Sequence, residues 1–329
     1  MIRRRKLLAA LGAAALSAAF PSLAQQRSKP WRIGVLASRS RPSSPDDPYA
    51  SFAKGMSEFG YVEGKDYVYD WVYADGHYER LSELAAELVR RKVDIIVATS
   101  SVGAQAAHAA TRTIPIVAAS ALEPVTMGLA TSLARPGGNV TGLAGSGYDK
   151  SPKYLELLIA AVPKLSRVTI LVNPASPTHN VMGDFLRSAA QKLDLQLRSR
   201  GMRSTEDIEP GFAAMAREGV QGLIVLPDAF FFLERRRLAD QATKYRLPTV
   251  CSQEEYADAG SLMSYGQSLA DYYRYSASLV DKILKGAKPG DLPFEQPTRF
   301  TLVINRKTAK AIGLAIPQEL LLRADRVIE

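Results

Sequence analysis

From Trp31 to Val250, short apolar runs alternate with stretches in which apolar residues recur every three or four positions, a pattern few folds accept. Ile33-Gly34-Val35-Leu36-Ala37, Asp94-Ile95-Ile96-Val97-Ala98, Ile116-Val117-Ala118-Ala119 and residues 139–142 read as strands. So do Val168-Thr169-Ile170-Leu171-Val172, Leu195-Gln196-Leu197, Gly222-Leu223-Ile224-Val225-Leu226 and Pro248-Thr249-Val250. Runs without polar alternation mark strands buried on both faces, as in parallel sheets covered by helices. Between them, Leu81, Leu84, Ala85, Leu88 and Val89 define an amphipathic helix over 79–91. Further helices are expected over 101–110, 179–192, 206–217 and 232–245, and Ser151 and Pro152 read as the cap and first residue of another. Two such βα series in 329 residues predict an α/β protein of two doubly wound, parallel-sheet lobes.

After Val250 the pattern thins to a strand at 262–265, a long helix over 268–285, three prolines (Pro289, Pro293, Pro297) and a strand at 300–304. These pieces are too few for a third core and serve to complete the two lobes in turn. The chain is therefore expected to change lobe three times, near residues 146, 251 and 297. Lobe 1 would comprise 31–146 plus 252–297, and lobe 2 would comprise 147–251 plus 298–329.

The N-terminus speaks to compartment. Arg3, Arg4, Arg5 and Lys6 precede an uncharged apolar stretch over 7–20, and Ser22-Leu23-Ala24 places small residues where a signal peptidase reads. The expectation is a signal peptide cleaved after Ala24 and a periplasmic destination, by the general or the twin-arginine route. The apolar stretch is shorter than the roughly 20 residues of a spanning helix, so no membrane span is expected in the mature chain. Removing residues 1–24 takes away four basic groups and no acid, and the formal net charge falls from +9 to +5. The remaining basic residues are interspersed with acids and lack aromatic interleaving, which argues against nucleic acid. With Cys251 as its single cysteine the chain forms no internal disulfide and must rely on a large core.

Catalytic patterns are missing. The three histidines, His77, His108 and His179, have no partner at metal-ligand spacing, so no metal is expected. There is no Gly-x-Ser-x-Gly elbow, and the glycines of 142–147 lack the order of a nucleotide cradle, so no cofactor is expected either. Those glycines suit a bend where the chain changes lobe. Cys251 follows a buried strand and reads as an apolar filler. What remains is a set of polar residues just beyond strand ends, where doubly wound sheets bind ligands. In lobe 1 these are Ser38, Thr99, Ser100, Ser101 and Ser120. In lobe 2 they are Asn173, Ser176, Asp228 and Phe230, joined by Tyr148 and Tyr256 beside the first two crossovers. Thr99, Ser100 and Ser101 suit a carboxylate at a helix N-terminus, or simply cap that helix. Asp228 suits an ammonium or hydroxyl, or caps the helix after it. These residues define a non-enzymatic small-molecule site.

Longer segments carry a resemblance. They are Phe59-Gly60-Tyr61-Val62-Glu63-Gly64, Arg80-Leu81 with Ala85-Ala86-Glu87-Leu88-Val89, and Thr113-Ile114-Pro115-Ile116-Val117. Ser132-Leu133-Ala134-Arg135-Pro136-Gly137-Gly138-Asn139-Val140-Thr141-Gly142 and Leu262-Met263-Ser264-Tyr265-Gly266 follow. The C-terminal set is Ile283-Leu284-Lys285-Gly286, Lys288-Pro289, Asp291-Leu292-Pro293 and Asn305-Arg306-Lys307-Thr308-Ala309-Lys310. In order and spacing the chain resembles the ABC-transporter substrate-binding proteins of the tryptophan-binding-protein-like group. That resemblance implies the type I periplasmic-binding fold, a monomer, a small-molecule ligand between the lobes and a membrane permease as partner. Relatives bind amino acids, aromatic ones included. Two positions depart from the pattern: Glu123 stands where Asp is usual, and Ala229 where amino-acid binders tend to have Asn. The same architecture also serves ligand sensors that report to membrane receptors, and the residues leave that alternative open. An enzyme of related fold using Cys251 or Asp228 is the other alternative, one for which the sequence offers no base–nucleophile pair.

Overall fold

The computed structural model describes residues 29–42, 47–145, 148–296 and 299–329, and the expected signal peptide lies outside them. The first sheet contains β1 (Trp31–Ala37), β2 (Tyr67–Tyr73), β3 (Ile95–Ala98), β4 (Ile116–Ala121) and β5 (Val140–Ala144). All pairs are parallel, in the order β2-β1-β3-β4-β5. Helices α1 (Ala50–Glu58), α2 (Leu81–Arg90) and α3 (Ser101–Ala110) connect the strands, and α10 (Leu269–Leu284) returns from the C-terminal part. Alternation along the strands splits the core in two. Leu36, Ile96, Ile116 and Val140 meet α2 and α3 through Leu81, Leu88 and Ala104. Ile33, Val35, Ile95 and Val117 meet α1 and α10 through Phe52, Met56, Tyr273 and Val280. Each such side chain contributes about 1.5–3 kcal/mol when fully buried. The α1–α10 packing depends on Gly55, where a Cβ would fall 2.5 Å from the Arg274 carbonyl oxygen.

The second sheet has seven strands in the order β7-β6-β8-β9-β10-β11-β12. They are β6 (Arg167–Val172), β7 (Gln196–Gly201), β8 (Gly222–Val225), β9 (Thr249–Cys251), β10 (Met263–Gly266), β11 (Thr301–Asn305) and β12 (Arg326–Ile328). Helices α4 (Lys153–Ala161), α5 (Pro177–Lys192), α6 (Ile208–Arg217), α7 (Ala229–Leu233), α8 (Arg235–Lys244), α9 (Glu254–Asp258), α11 (Arg306–Ala311) and α12 (Gln318–Leu322) surround it. Leu155, Leu158, Ile170, Leu186 and Ile304 fill one face, and Phe212, Leu223, Val225, Phe231 and Leu238 the other. The two doubly wound lobes expected from the βα pattern are therefore present.

Three expectations need correction. Segment 252–266 belongs to lobe 2, not lobe 1, because Val250 and Cys251 pair in parallel with Met263 and Ser264 across α9. The second change of lobe thus lies between Gly266 and Leu269, while the expected first and third, near 146 and 297, lie outside the described residues. The second sheet is also not wholly parallel, since β11 runs antiparallel to β10. The reason is topological. On its first entry to lobe 2 the chain passes through α4 before β6, and the helix carries it back to the far edge of the sheet. On its last entry no helix intervenes, so β11 starts at the cleft edge and runs the other way. Finally, Ser151 does not cap α4, because its Oγ donates to the Tyr148 carbonyl at 2.7 Å.

Gly266 ends β10 where the chain leaves lobe 2, and a Cβ there would sit 1.6 Å from the Ser252 carbonyl oxygen. We expect Gly266→Ala to lower the urea midpoint by the equivalent of about 3 kcal/mol, the upper end for forced overpacking.

Candidate functional site

In both sheets the strand order reverses at one point, between β1 and β3 in lobe 1 and between β6 and β8 in lobe 2. Side chains beyond these strand ends converge there without steric competition from a crossover. The two switch points face one another across a cleft with a cavity volume of ≈ 160 Å³.

Lobe 1 contributes a knot of hydroxyls. The Ser38 and Ser100 Oγ atoms share a hydrogen bond of 2.5 Å, and the Ser38 N–H donates to Thr99 Oγ1 at 3.0 Å. Ser100 caps α3, its Oγ accepting from the Gly103 N–H at 3.1 Å, and Ser101 Oγ accepts from the Leu122 N–H at 2.8 Å. Ser100 thus performs the capping reading of the sequence, whereas the Ser101 and Thr99 hydroxyls accept from Leu122 and Ser38 instead. Ser101 and Val102, in the first turn where N–H groups have no intrahelical acceptor, line the cleft at the positive end of the helix. Arg39 follows directly. Its guanidinium meets Asp47 with both nitrogens at 3.2 and 3.1 Å and lies between two rings, 4.1 Å from the Tyr49 centroid and 4.2 Å from that of Phe232.

Lobe 2 contributes Asp228 at the start of α7. Its Oδ1 accepts from the N–H groups of Phe230 and Phe231 at 2.9 and 3.2 Å, and Asn173 Nδ2 donates to both carboxylate oxygens at 3.3 and 3.2 Å. The Tyr78 hydroxyl of lobe 1 donates to Oδ2 at 3.0 Å and accepts from the Ala229 N–H at 3.0 Å. Burial first, and the adjacent Asp228 carboxylate second, push the Tyr78 phenol well above its ordinary pKa, so it remains a donor. Beneath them, His179 Nδ1 accepts from the Asn173 N–H at 2.8 Å, which leaves Nε2 to donate to the Pro227 carbonyl at 3.0 Å. That tautomer is neutral, and burial pushes the imidazole pKa down. The Tyr78–Asp228 and Arg39–Phe232 contacts hold the lobes closed on the cleft.

Of the residues singled out from sequence, Ser38, Thr99, Ser100, Ser101, Ser120, Tyr148, Ser176 and Asp228 line the cleft. Asn173 stands behind it, oriented on Asp228. Phe230 and Tyr256 do not line it. Both are buried in the lobe 2 core, where Tyr256 lies edge-on to Phe232 at 5.9 Å. Of the three adjacent phenylalanines, Phe232 is the one that reaches the cleft. Sequence reasoning missed Arg39, Tyr49, Tyr78, Tyr265, Tyr272 and Phe300, which give the cleft aromatic walls. Tyr265 and Phe300 stack at 5.3 Å. Arg39 was within reach of the strand-end rule, being one residue beyond Ser38. Cys251 is fully buried, and its thiol is pushed up to about 12 by that burial, so it supplies no thiolate.

Two lobes closed on a polar and aromatic cleft form a site of the kind that holds a small molecule. The family described as ABC transporter substrate binding protein matches residues 32–328, and the chain belongs to it. The chain is 27% identical over 286 residues to the tyrosine-binding protein of Clostridioides difficile (strain R20291), covering 87% of this chain and 82% of that one. A crystal structure of an ABC domain in complex with L-Trp from Streptococcus pneumonia is similar at a TM-score of 0.82 and 25% identity, covering 91% of this chain and 100% of that one. A conserved domain protein of Vibrio cholerae is similar at 0.83 and 26%, with the same coverage. The fold is the type I periplasmic-binding fold, and the chain is a small-molecule solute-binding protein.

Proposed function

We propose that the mature chain, beginning at Gln25 after export, is the periplasmic component of an ABC importer. It captures one small molecule with an anionic head and an apolar, aromatic-compatible body, and it presents the closed form to a membrane permease. One observation carries the reading: the switch points of both sheets face each other across a single cleft that combines α3 N–H groups and hydroxyls with aromatic walls. The first turn of α3, with its free N–H groups at the positive end of the helix, favours an anion. The binding of L-Trp and of tyrosine by the relatives supports a ligand of this size. Ser38, Thr99, Ser100, Ser101, Ser120, Tyr148 and Ser176 would touch it, with Asn173 and Asp228 shaping the far wall. Release, with no bond made or broken, completes the cycle as the lobes reopen.

A thermal-shift screen of aromatic acids, aromatic amino acids and small carboxylates tests the reading. A ligand at 100 times its dissociation constant should stabilise the chain by about 2.7 kcal/mol. A uniform absence of stabilisation across all three classes would exclude the proposed ligand chemistry.

A further inference from the structure

The cleft places one carboxylate where a ligand's positive group would have to dock, and the protein has already used it. An aspartate offers about four lone-pair positions. Asp228 receives four donor groups: the N–H groups of Phe230 and Phe231, the Asn173 amide and the Tyr78 hydroxyl. Three of these come from lobe 2 itself, two from the cap of α7 and the third from the buried Asn173 amide beyond β6. The fourth comes from across the cleft and arrives with closure. Tyr78 is held there twice, because its oxygen also accepts the Ala229 N–H at 3.0 Å.

We infer that this site selects an aromatic carboxylate that lacks an α-ammonium group, and that Tyr78 is the specificity-determining residue, filling on Asp228 the place an ammonium would take. The inference rests on the anionic-head, aromatic-body reading above and narrows it. An ammonium entering the closed cleft would find no open carboxylate position, because Asp228 is the one acid among the described lining residues. Neutral hydroxyls can hydrogen-bond such a group but do not balance its charge. A carboxylate meets no such obstacle, since the α3 end offers donors.

Matched pairs that differ only in the ammonium test this by isothermal titration: phenylpropanoate against L-phenylalanine, hydroxyphenylpropanoate against L-tyrosine, and indolepropanoate against L-tryptophan. For the ring that fits, the acid should bind about ten- to a hundredfold tighter than the amino acid, the range for a charged group left unpaired. Tyr78→Phe, which withdraws one donor from Asp228, should narrow or reverse that ratio. An amino acid that binds wild type as tightly as its acid, or more tightly, overturns the inference while leaving the aromatic-anion reading intact. Failure of both members of every pair to bind overturns both. A ratio unchanged in a folded Tyr78→Phe variant removes Tyr78 from the account.

Discussion

Asp228→Ala should lower the stability of the ligand-free protein by about 3 kcal/mol, because it removes several charge-assisted hydrogen bonds at once. The substitution strips the cap from α7, worth about 1 kcal/mol by itself. It also leaves the Asn173 amide and the Tyr78 hydroxyl without the carboxylate they share. The Asn173 side chain is buried, so water cannot replace that partner. Chemical denaturation of the ligand-free chain measures the loss. Asp228→Asn, which keeps an acceptor oxygen for the two backbone N–H groups, should recover part of it. A ligand-free stability unchanged in Asp228→Ala would mean that the carboxylate does not organise the lobe 2 wall. The sequence permitted either a helix cap or an ammonium partner here. The observed geometry favours the cap.

Arg39→Ala should weaken ligand binding roughly thirtyfold, mainly through faster dissociation, without removing a direct ligand contact. Arg39 belongs to lobe 1 and lies between Tyr49 of its own lobe and Phe232 of the other. A desolvated cation over an aromatic face contributes about 2 kcal/mol or more. The Phe232 half of the sandwich exists only when the lobes are closed, so its loss falls on the closed state alone, and an equilibrium shifts by no more than such a difference. Arg39→Lys should not restore the closed state, because a compact ammonium cannot stack on two rings while bridging Asp47 with both nitrogens. Stopped-flow dissociation rates and small-angle scattering of the ligand-free variants measure the effect. Equal affinity and an equally compact form in Arg39→Ala would show that the sandwich is incidental to closure.

The architecture was legible because parallel strands buried on both faces leave an unbroken apolar signature, as in Ile95 to Ala98 and Gly222 to Val225. Strand β2 escaped for the opposite reason. It is an edge strand, and Asp70 splits Tyr67-Val68-Tyr69 from Trp71-Val72-Tyr73, so neither an unbroken aliphatic run nor a polar alternation marks it. Missing β2 hid the turn after it and therefore Tyr78, which bridges the lobes. The strand-end rule found the serines and Asp228, since it follows from sheet topology alone. It could not find Tyr265 or Phe300, whose position depends on the lobes meeting and on β11 running antiparallel. Nor could it choose among Phe230, Phe231 and Phe232, because α7 is barely one turn long and carries no periodicity to read. The second crossover was misplaced because β10 looks like a strand that could complete either sheet. Only its register with β9 assigns it to lobe 2.

The central claim is that one unaltered small molecule is held in the cleft between the lobes. Equilibrium titration of the wild type and of Ser120→Trp, followed by denaturation and mass analysis of the released molecule, tests it most directly. Ser120 lines the cleft at the end of β4, so an indole there would fill the ligand's space from lobe 1. The account predicts one ligand per wild-type chain, recovered chemically unchanged, and none bound by a folded Ser120→Trp variant. Binding that survives the indole, or a molecule recovered in altered form, would contradict it.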